Sequence, residues 1–439
     1  MNDQPDPADH EGQNPFKGTP FEQIFGSLGG LGGAGGFDIS QLFGQLQSLM
    51  QPYDGPVNWQ LALDTARRLV AAEPDPSTTQ RDADRVADAV RLADHWLDET
   101  TTFPSGVTTT AAWSRAEWVT ETLEVWKILV EPVAAASVNS IGQALPQEAQ
   151  AMAGPMAGFL GRAVGVMYAS QLGSGLGTLA QEVLTASDIG LPLGAPGKAA
   201  LVPANIKTFV EGLDVTEDDV VLYLALREAA HQRLFAHVPW LRDHLIEAVR
   251  AYATGLEINT EAMQQRIEEQ IRGIDPSNPE SLQGLLEGGM FDPPKTPQQE
   301  AALSQLETTL ALVEGWVDEV VGQATHERMP SAAKLQESVR RRRAAGGPAE
   351  QTFATLVGLE LRPRRLRDAS TLWGSLRTRQ GAEARDGVWM SPHLLPTAAD
   401  LDDPLGFREG AEAIGELSDE DFEAGLRDLL GEDEGDQPE

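Results

Sequence analysis

The chain contains no cysteine among its 439 residues. This absence excludes disulfide bonds, thiolate nucleophiles and every metal site built on cysteine. A metal ion would have to be bound by histidine and carboxylate side chains, and the sequence has only seven histidines. Three of them, His231, His237 and His244, fall within a stretch of 14 residues. That stretch is therefore the first candidate region for metal or acid–base chemistry.

Basic residues are also scarce. The chain has 33 Lys and Arg against 67 Asp and Glu, which gives a formal net charge of -34. A field of this sign repels the phosphates of nucleic acids and the surfaces of anionic lipids. We therefore expect no nucleic-acid or membrane partner, and we expect attraction to basic partners instead.

Long apolar runs are missing as well. The least polar stretch, residues 163–180, is interrupted by Gln171, Ser174 and several glycines, whereas a membrane-spanning helix needs ~20 strongly apolar residues. The acidic first residues lack the apolar core of a signal peptide. These features predict a cytoplasmic protein without a membrane segment.

Strand patterns are rare, and helical periodicity dominates. Apolar residues recur at helical spacing in residues 59–70, 83–97 and 112–128, and residues 148–184 are helical with many small side chains. Residues 199–205 are the best candidate for a short extended segment, and no β-α-β alternation is present. The sequence therefore predicts a mainly α fold with at most a few short strands.

The glycines at 173, 175 and 177 imitate a phosphate-binding loop. No strand precedes them, as such a loop requires, so close packing of helices is the favoured interpretation.

Composition divides the chain into three parts. Residues 1–55 are rich in glycine and proline and predict a disordered N-terminal segment. Residues 56–405 predict one mostly helical domain, and residues 406–439 predict a disordered acidic C-terminal tail.

One helix carries the most informative motif. Thr216 and Asp219 resemble a capping box at its start, and Pro239 closes it. Within it stands Arg227-Glu228-Ala229-Ala230-His231. An H-E-x-x-H helix places two zinc-binding imidazoles one turn apart, with a glutamate that activates the metal-bound water. Here Glu228 and His231 keep their places, but Arg227 replaces the first histidine.

Arginine stays protonated and has no lone pair to give to zinc. A zinc site would therefore need a further donor. His237 could supply one by folding back towards His231, although it precedes Pro239 and is more typical of a surface turn. The E-x-x-H half-motif also occurs in di-iron helical bundles, but the sequence has no second copy.

A second acidic pair lies downstream, where Glu314 and Asp318 are one turn apart in a helical run that begins near Gln299. In one large class of zinc proteases, a glutamate on a second helix is the third zinc ligand. An aspartate one turn later then orients the first histidine of the motif. With Arg227 in place of that histidine, Glu314 and Asp318 are natural ion-pair partners, so a charge network would substitute for the metal. A solvated acidic helix face is the alternative interpretation.

These segments, together with residues 388–392 and 395–396, resemble the actinobacterial zincin-like family called zinc-dependent metalloproteases or hydrolases, formerly a domain of unknown function. The resemblance covers about residues 55–405. It implies a zincin-like hydrolase in which Glu228 is the general base and His231 and Glu314 bind zinc. Arg227 departs from the motif of the family.

A basic zone interrupts the acidic chain: Arg340, Arg341, Arg342 and Arg343, followed by Arg362, Arg364, Arg365 and Arg367. It suits a phosphate-bearing ligand, an acidic partner or the acidic tail of this chain. Pairing with carboxylates on neighbouring helix faces is the favoured interpretation.

Two functional hypotheses follow. The first is a zinc-dependent hydrolase acting on peptide bonds, with Glu228 taking the proton from water. The second is a pseudoenzyme in which Arg227 pairs with Glu228, Glu314 or Asp318 and the cleft binds a peptide or protein partner. The residues favour the second for the chemistry, and they leave the oligomeric state open.

Overall fold

The computed structural model describes residues 53–144, 154–254, 296–344 and 365–408. The predicted tails, apart from their innermost residues, lie outside this part, as do Arg362 and Arg364. The described elements belong to one compact unit and confirm a mainly α fold. They are α1 (Trp59–Val70), α2 (Gln80–Leu97), β1 (Thr109–Ala112), α3 (Arg115–Ala144), α4 (Gly154–Ala180), β2 (Lys198–Leu201), α5 (Pro203–Val210), α6 (Glu217–His237), α7 (Pro239–Thr254), α8 (Pro297–Thr325), α9 (Ala332–Ala344), α10 (Leu366–Gly387) and α11 (Ala398–Asp402).

Local capping explains where several helices begin. The Asn58 side chain accepts a hydrogen bond from the backbone of Leu61 at the start of α1. Reciprocal capping boxes start α2, between Thr79 and Asp82, and α8, between Thr296 and Gln299. Each satisfies backbone N–H groups that the first helical turn leaves without a partner.

The two strands form a parallel pair, with Thr109 beside Lys198 and Ala112 beside Leu201. The predicted extended segment at residues 199–205 was too long. The strand ends at Leu201 because Pro203 occupies the first turn of α5, where its fixed φ and missing N–H favour a helix.

Helices α1 and α4 pack closely because α4 presents glycines to α1. A Cβ added at Gly173 would clash with the Ala62 carbonyl oxygen and lie 2.7 Å from Thr65 Cβ. One added at Gly177 would lie 2.7 Å from Leu69 Cδ2. The glycines at 173 and 177 therefore lie within α4 and allow it to pack closely on α1. The sequence favoured this interpretation because no strand precedes them, as a phosphate-binding loop would require.

Helices α6 and α8 lie at the centre of the fold. Residues 223–234 of α6 and 309–321 of α8 are buried without interruption. A helix that is buried on all sides must satisfy its polar side chains internally. The motif residues therefore face protein. None of the described helices is both long and apolar enough to span a membrane.

Candidate active site

Helix α6 carries the motif in a rigid position. The Thr216 side chain accepts a hydrogen bond from the Asp219 N–H at 3.2 Å, and the Asp219 carboxylate accepts one from Ser331. The helix ends at His237, and Pro239 starts α7, as the sequence indicated. The helix is therefore fixed at both ends.

Arg227 forms a buried ion pair with Glu314 of α8. Its Nη2 donates to Glu314 Oε2 at 2.5 Å, and the two side chains are 5% and 1% exposed. Its Nη1 lies 3.9 Å from Asp318 Oδ1. Arg227 thus stands between the two carboxylates of α8, in the arrangement that its spacing from His231 predicted.

His231 completes this contact with both ring nitrogens. Its Nδ1 lies 2.8 Å from the Arg227 carbonyl oxygen, and its Nε2 lies 2.9 Å from Glu314 Oε1. A carbonyl and an ionised carboxylate only accept hydrogen bonds. Nδ1 is therefore in a donor position towards the Arg227 carbonyl oxygen, and Nε2 is taken up by its contact with Glu314.

Glu314 is held by three cationic or donor side chains. Arg343 of α9 lies 3.0 Å from the same Oε1 that His231 contacts. Burial alone would raise the pKa of Glu314, but Arg343, His231 and Arg227 outweigh it and lower that pKa to about 2. Glu314 is therefore ionised, with both of its oxygens engaged.

Three arginines of α9 enter the site. Arg340 pairs with Asp318, whose Oδ2 also accepts from Ser370 at 2.8 Å. Arg342 donates to Asp188 at 2.8 Å. Burial opposes the ionisation of Asp188, yet Arg342 and Arg343 keep its pKa below the ordinary value.

The remaining arginine of this run, Arg341, is exposed and pairs with Glu337 on its own helix. Arg365 pairs with Asp368 and Asp402, and Arg367 pairs with Glu337. Every described arginine of the basic zone therefore pairs with a carboxylate, as favoured from the sequence.

Glu228 faces away from this cluster. Its carboxylate is fully buried and accepts from the Ser187 N–H at 3.0 Å and from Gln232 Nε2 at 3.0 Å. Burial raises the pKa of Glu228, although His231 and these hydrogen bonds oppose the rise. Of the three carboxylates named as alternative partners of Arg227, Glu314 forms the ion pair and Asp318 lies near it, whereas Glu228 does not contact Arg227.

The loop that holds Glu228 also covers Glu314. Gly190 has a φ of +79°, and a Cβ added there would lie 2.9 Å from Glu314 Oε1. Sequence reasoning missed Ser187 and Asp188, because a loop residue 41 positions from Glu228 follows no periodic pattern. Gln232 was recognisable in principle, since it lies one helical turn beyond Glu228.

The other two nearby histidines do not join the cluster. His237 is exposed, stacks on Phe103 and lies about 9 Å along the helix axis from His231. His244 lies 3.1 Å from Gln305 and contacts the edge of Trp240. The suggestion that His237 completes a metal site is therefore not supported.

These residues do not fit zinc. A zinc site needs at least three converging lone-pair donors, whereas Arg227 brings a guanidinium, Nε2 of His231 contacts Glu314 directly and Glu314 is engaged by Arg227 and Arg343. Across the described ranges, no group of three or more His, Asp or Glu residues is arranged to hold a metal ion.

A solvent-open cleft of about 670 Å³ adjoins the cluster. Asp318 and Gln336 form part of its wall, and Glu319, Gln323, Ser370 and Arg377 also line it. A buried network adjoins the cleft, in which Arg385 donates to Glu319 and to Asp386, both at 2.7 Å. Asp318 therefore belongs to both the buried cluster and the cleft.

Comparisons with known proteins agree with this fold. Residues 57–407 match the sequence model of a family described as "Zincin-like metallopeptidase". A solved structure from Chloroflexus aurantiacus, titled "a putative hydrolase with a novel fold", aligns with a TM-score of 0.57 at 20% identity. That alignment covers 81% of this chain and 100% of the other, and it supports the fold alone. No curated protein matches this chain.

Proposed function

This chain belongs to the zincin-like metallopeptidase family, and we propose that an ion-pair network has replaced zinc at its centre. In this proposal the protein keeps the fold of the family and binds a peptide in its cleft without hydrolysing it. The observation that carries the proposal is the 2.5 Å ion pair between Arg227 and Glu314.

The chemistry of the pair supports this replacement. Arginine cannot lose its proton under physiological conditions, and burial beside carboxylates stabilises its charge further. The pKa of Arg227 is accordingly raised, because Glu314, Tyr223 and Asp318 outweigh the effect of burial. A permanent cation therefore lies against Glu314, beside the contact of Glu314 with His231, and it would repel a metal ion there.

The cleft beside Asp318 supports the binding role. Ligand pockets commonly measure roughly 300–1,000 Å³, and this cleft has a volume of about 670 Å³. Its wall carries carboxylates, guanidinium groups and amides, including Glu319, Arg377 and Gln323. Such a lining suits the backbone and charged side chains of a peptide.

Hydrolysis is the second candidate, and Glu228 is the observation that favours it. A general base or acid works best when its pKa lies near the operating pH, and burial raises the pKa of Glu228. Glu228 would accept the proton of the attacking water in that case. Replacement of Glu228 by Gln should then abolish turnover of a casein substrate and preserve the fold.

Metal content tests the proposal directly. We expect the purified, untagged protein to contain no zinc by mass spectrometry, even after dialysis against zinc and removal of the excess. A His231→Ala variant treated in the same way is the control for adventitious binding. Stoichiometric zinc in the wild type that disappears in the His231→Ala variant would refute the replacement of the metal.

Peptide binding in the cleft is tested with a substitution that narrows the cleft. Gly374 lines the cleft, and a Cβ added there would lie 3.7 Å from Glu319 Cγ, an ordinary contact. In a Gly374→Phe variant the ring narrows the cleft, so we expect loss of the peptides that the wild type binds on a synthetic peptide array, with the fold of the variant checked by circular dichroism. Gly387→Ala is the matched control, since its added Cβ meets no atom within 4 Å. Equal binding by both variants would show that peptides bind elsewhere.

A further inference from the structure

Helix α9 occupies the site in the way that a bound basic peptide would. Arg340, Arg342 and Arg343 pair with Asp318, Asp188 and Glu314, which lie on other elements. These three arginines lie within a single turn of α9. The ion pair of Arg227 with Glu314 is enough to replace a metal ion, so these three further arginines call for a separate explanation.

Charge, more than apolar packing, holds α9 in place. Among the side chains of α9 that the structure describes, the buried apolar ones are Ala332, Leu335 and Val339, at positions that form one narrow stripe. The side chains of Arg340 and Arg342 remain 24% and 28% exposed. Ion pairs that solvent reaches are weakened by salt and exchange more readily than buried ones. Two of the three ion pairs that hold α9 can therefore exchange with a competing cation, while the pair of Arg343 with Glu314, 11% and 1% exposed, is buried.

The charge balance defines what such a competitor must be. With α9 in place, the three carboxylates at positions 188, 314 and 318 face four guanidinium groups, those of α9 and of Arg227. Without α9, Arg227 is the one guanidinium of these four that remains beside them. Buried carboxylates without counter-charges are strongly destabilising. Only a ligand that brings several cationic groups can therefore take the place of α9.

Asp318 connects this cluster to the solvent-open cleft. Its Oδ2 accepts from Ser370 and pairs with Arg340, while its buried Oδ1 has no hydrogen-bond partner in the described part of the chain. Gln336 of α9 lines the cleft and donates to the same Oδ2 at 3.1 Å. A ligand that enters the cleft therefore meets α9 beside Asp318, whose buried Oδ1 has spare acceptor capacity.

We propose that α9 occupies the partner site of this protein, and that the partner is an arginine-rich peptide segment that displaces it. This inference rests on the proposed peptide-binding function and adds the chemical class of the peptide and the device that regulates access. The formal net charge of -34 attracts such a basic segment from a distance.

Affinity for a defined probe tests the exchange. The probe is a fluorescein-labelled synthetic peptide with the sequence of Ala332–Ala344, added to the full-length protein and followed by anisotropy. A competing helix of the same chain lowers the apparent affinity by the fraction of molecules in which it is docked. The double variant Arg342→Ala/Arg343→Ala should therefore bind the probe at least about tenfold more tightly than the wild type.

Two controls accompany this measurement. Arg341→Ala removes an arginine of the same helix that pairs only with Glu337, so it should leave the affinity unchanged. A probe in which glutamine replaces all four arginines should not bind. Equal affinities of the double variant and Arg341→Ala, or equal binding of both probes, would overturn the proposal.

Hydrogen exchange of the wild-type protein tests the displacement of α9 even if the double variant does not fold. Saturating probe should accelerate amide exchange in α9 and leave exchange in α4 unchanged. Binding without faster exchange in α9 would refute the displacement. Zinc is measured in the same samples, because stoichiometric zinc would refute the proposed function, whereas an undisturbed α9 refutes only this inference.

Discussion

Removal of the Arg227 side chain is the most direct test of the central network. In the Arg227→Ala variant, Glu314 Oε2 loses the donor at 2.5 Å, and Asp318 Oδ1 loses the cation at 3.9 Å. Breaking a buried ion pair from one side costs about 3–5 kcal/mol. Glu314 keeps Arg343 and His231 on its other oxygen, so we expect a loss of about 3 kcal/mol, at the lower end of that range.

The free energy of unfolding is measured by urea denaturation followed by far-UV circular dichroism. Arg341→Ala is the control, because its exposed pair with Glu337 should be worth less than about 0.5 kcal/mol. A loss below about 1 kcal/mol in Arg227→Ala would contradict a buried network.

A double-mutant cycle separates the pair from its surroundings. Arg227→Met/Glu314→Gln removes both charges, so its cost should fall short of the summed single costs by about 2 kcal/mol. Additive costs would show that Arg227 and Glu314 do not interact, and they would refute the reasoning.

Three further predictions concern pH and packing. The pKa of Glu314 is lowered to about 2 from an ordinary 4.5. The ionised carboxylate therefore contributes its full stability above about pH 4.5, and this contribution is lost as the pH falls towards 2. The urea midpoint is measured across this range for the wild type and for Glu314→Gln, and an equal acid dependence of both would contradict the prediction. The pKa of Glu228 is raised by burial, so the ionisation of the Glu228 carboxyl at higher pH lowers the stability of the folded protein. The Glu228→Gln variant should therefore have a higher Tm than the wild type at about pH 8, with a smaller difference at about pH 4. Gly173→Ala places a Cβ 2.7 Å from Thr65 Cβ and should cost about 1–3 kcal/mol. Gly374→Ala places a Cβ in ordinary contact with Glu319 Cγ, at 3.7 Å, and should be neutral or stabilising by up to about 1 kcal/mol in thermal melts.

The sequence was sufficient for features that depend on local spacing. Helical periodicity located α1 and α6 to within a few residues, because each has a capping residue next to its apolar pattern. The spacing of Glu314 and Asp318 placed both carboxylates on one face of α8, towards Arg227. In α1, α6 and α8, residues that are close in the sequence determine where the helix begins or which face a side chain occupies.

Contacts between distant segments were not predictable in the same way. Ser187 reaches Glu228 from a loop with no periodic pattern, and Arg343 reaches Glu314 from a helix that looks solvent-exposed by composition. The basic run was expected to pair with carboxylates, but not with those of the motif cluster. Long-range packing of α9 against α6 and α8 decides that outcome, and no local signal encodes it.

The charges around Glu314 explain why one substitution should not restore a metal site. A zinc ion carries two positive charges, and the two guanidinium groups of Arg227 and Arg343 bring the same charge to Glu314. Arg227→His restores one imidazole but leaves Arg343 on Glu314 Oε1, so we expect no zinc in that variant. Arg227→His/Arg343→Ala also removes the cation from this oxygen, which then contacts His231, and should bind zinc, measured by mass spectrometry and by a zinc-dependent rise in Tm. Zinc binding by the single variant would show that Arg343 is not part of the substitution for the metal, and absence of zinc from both would show that the donors no longer converge.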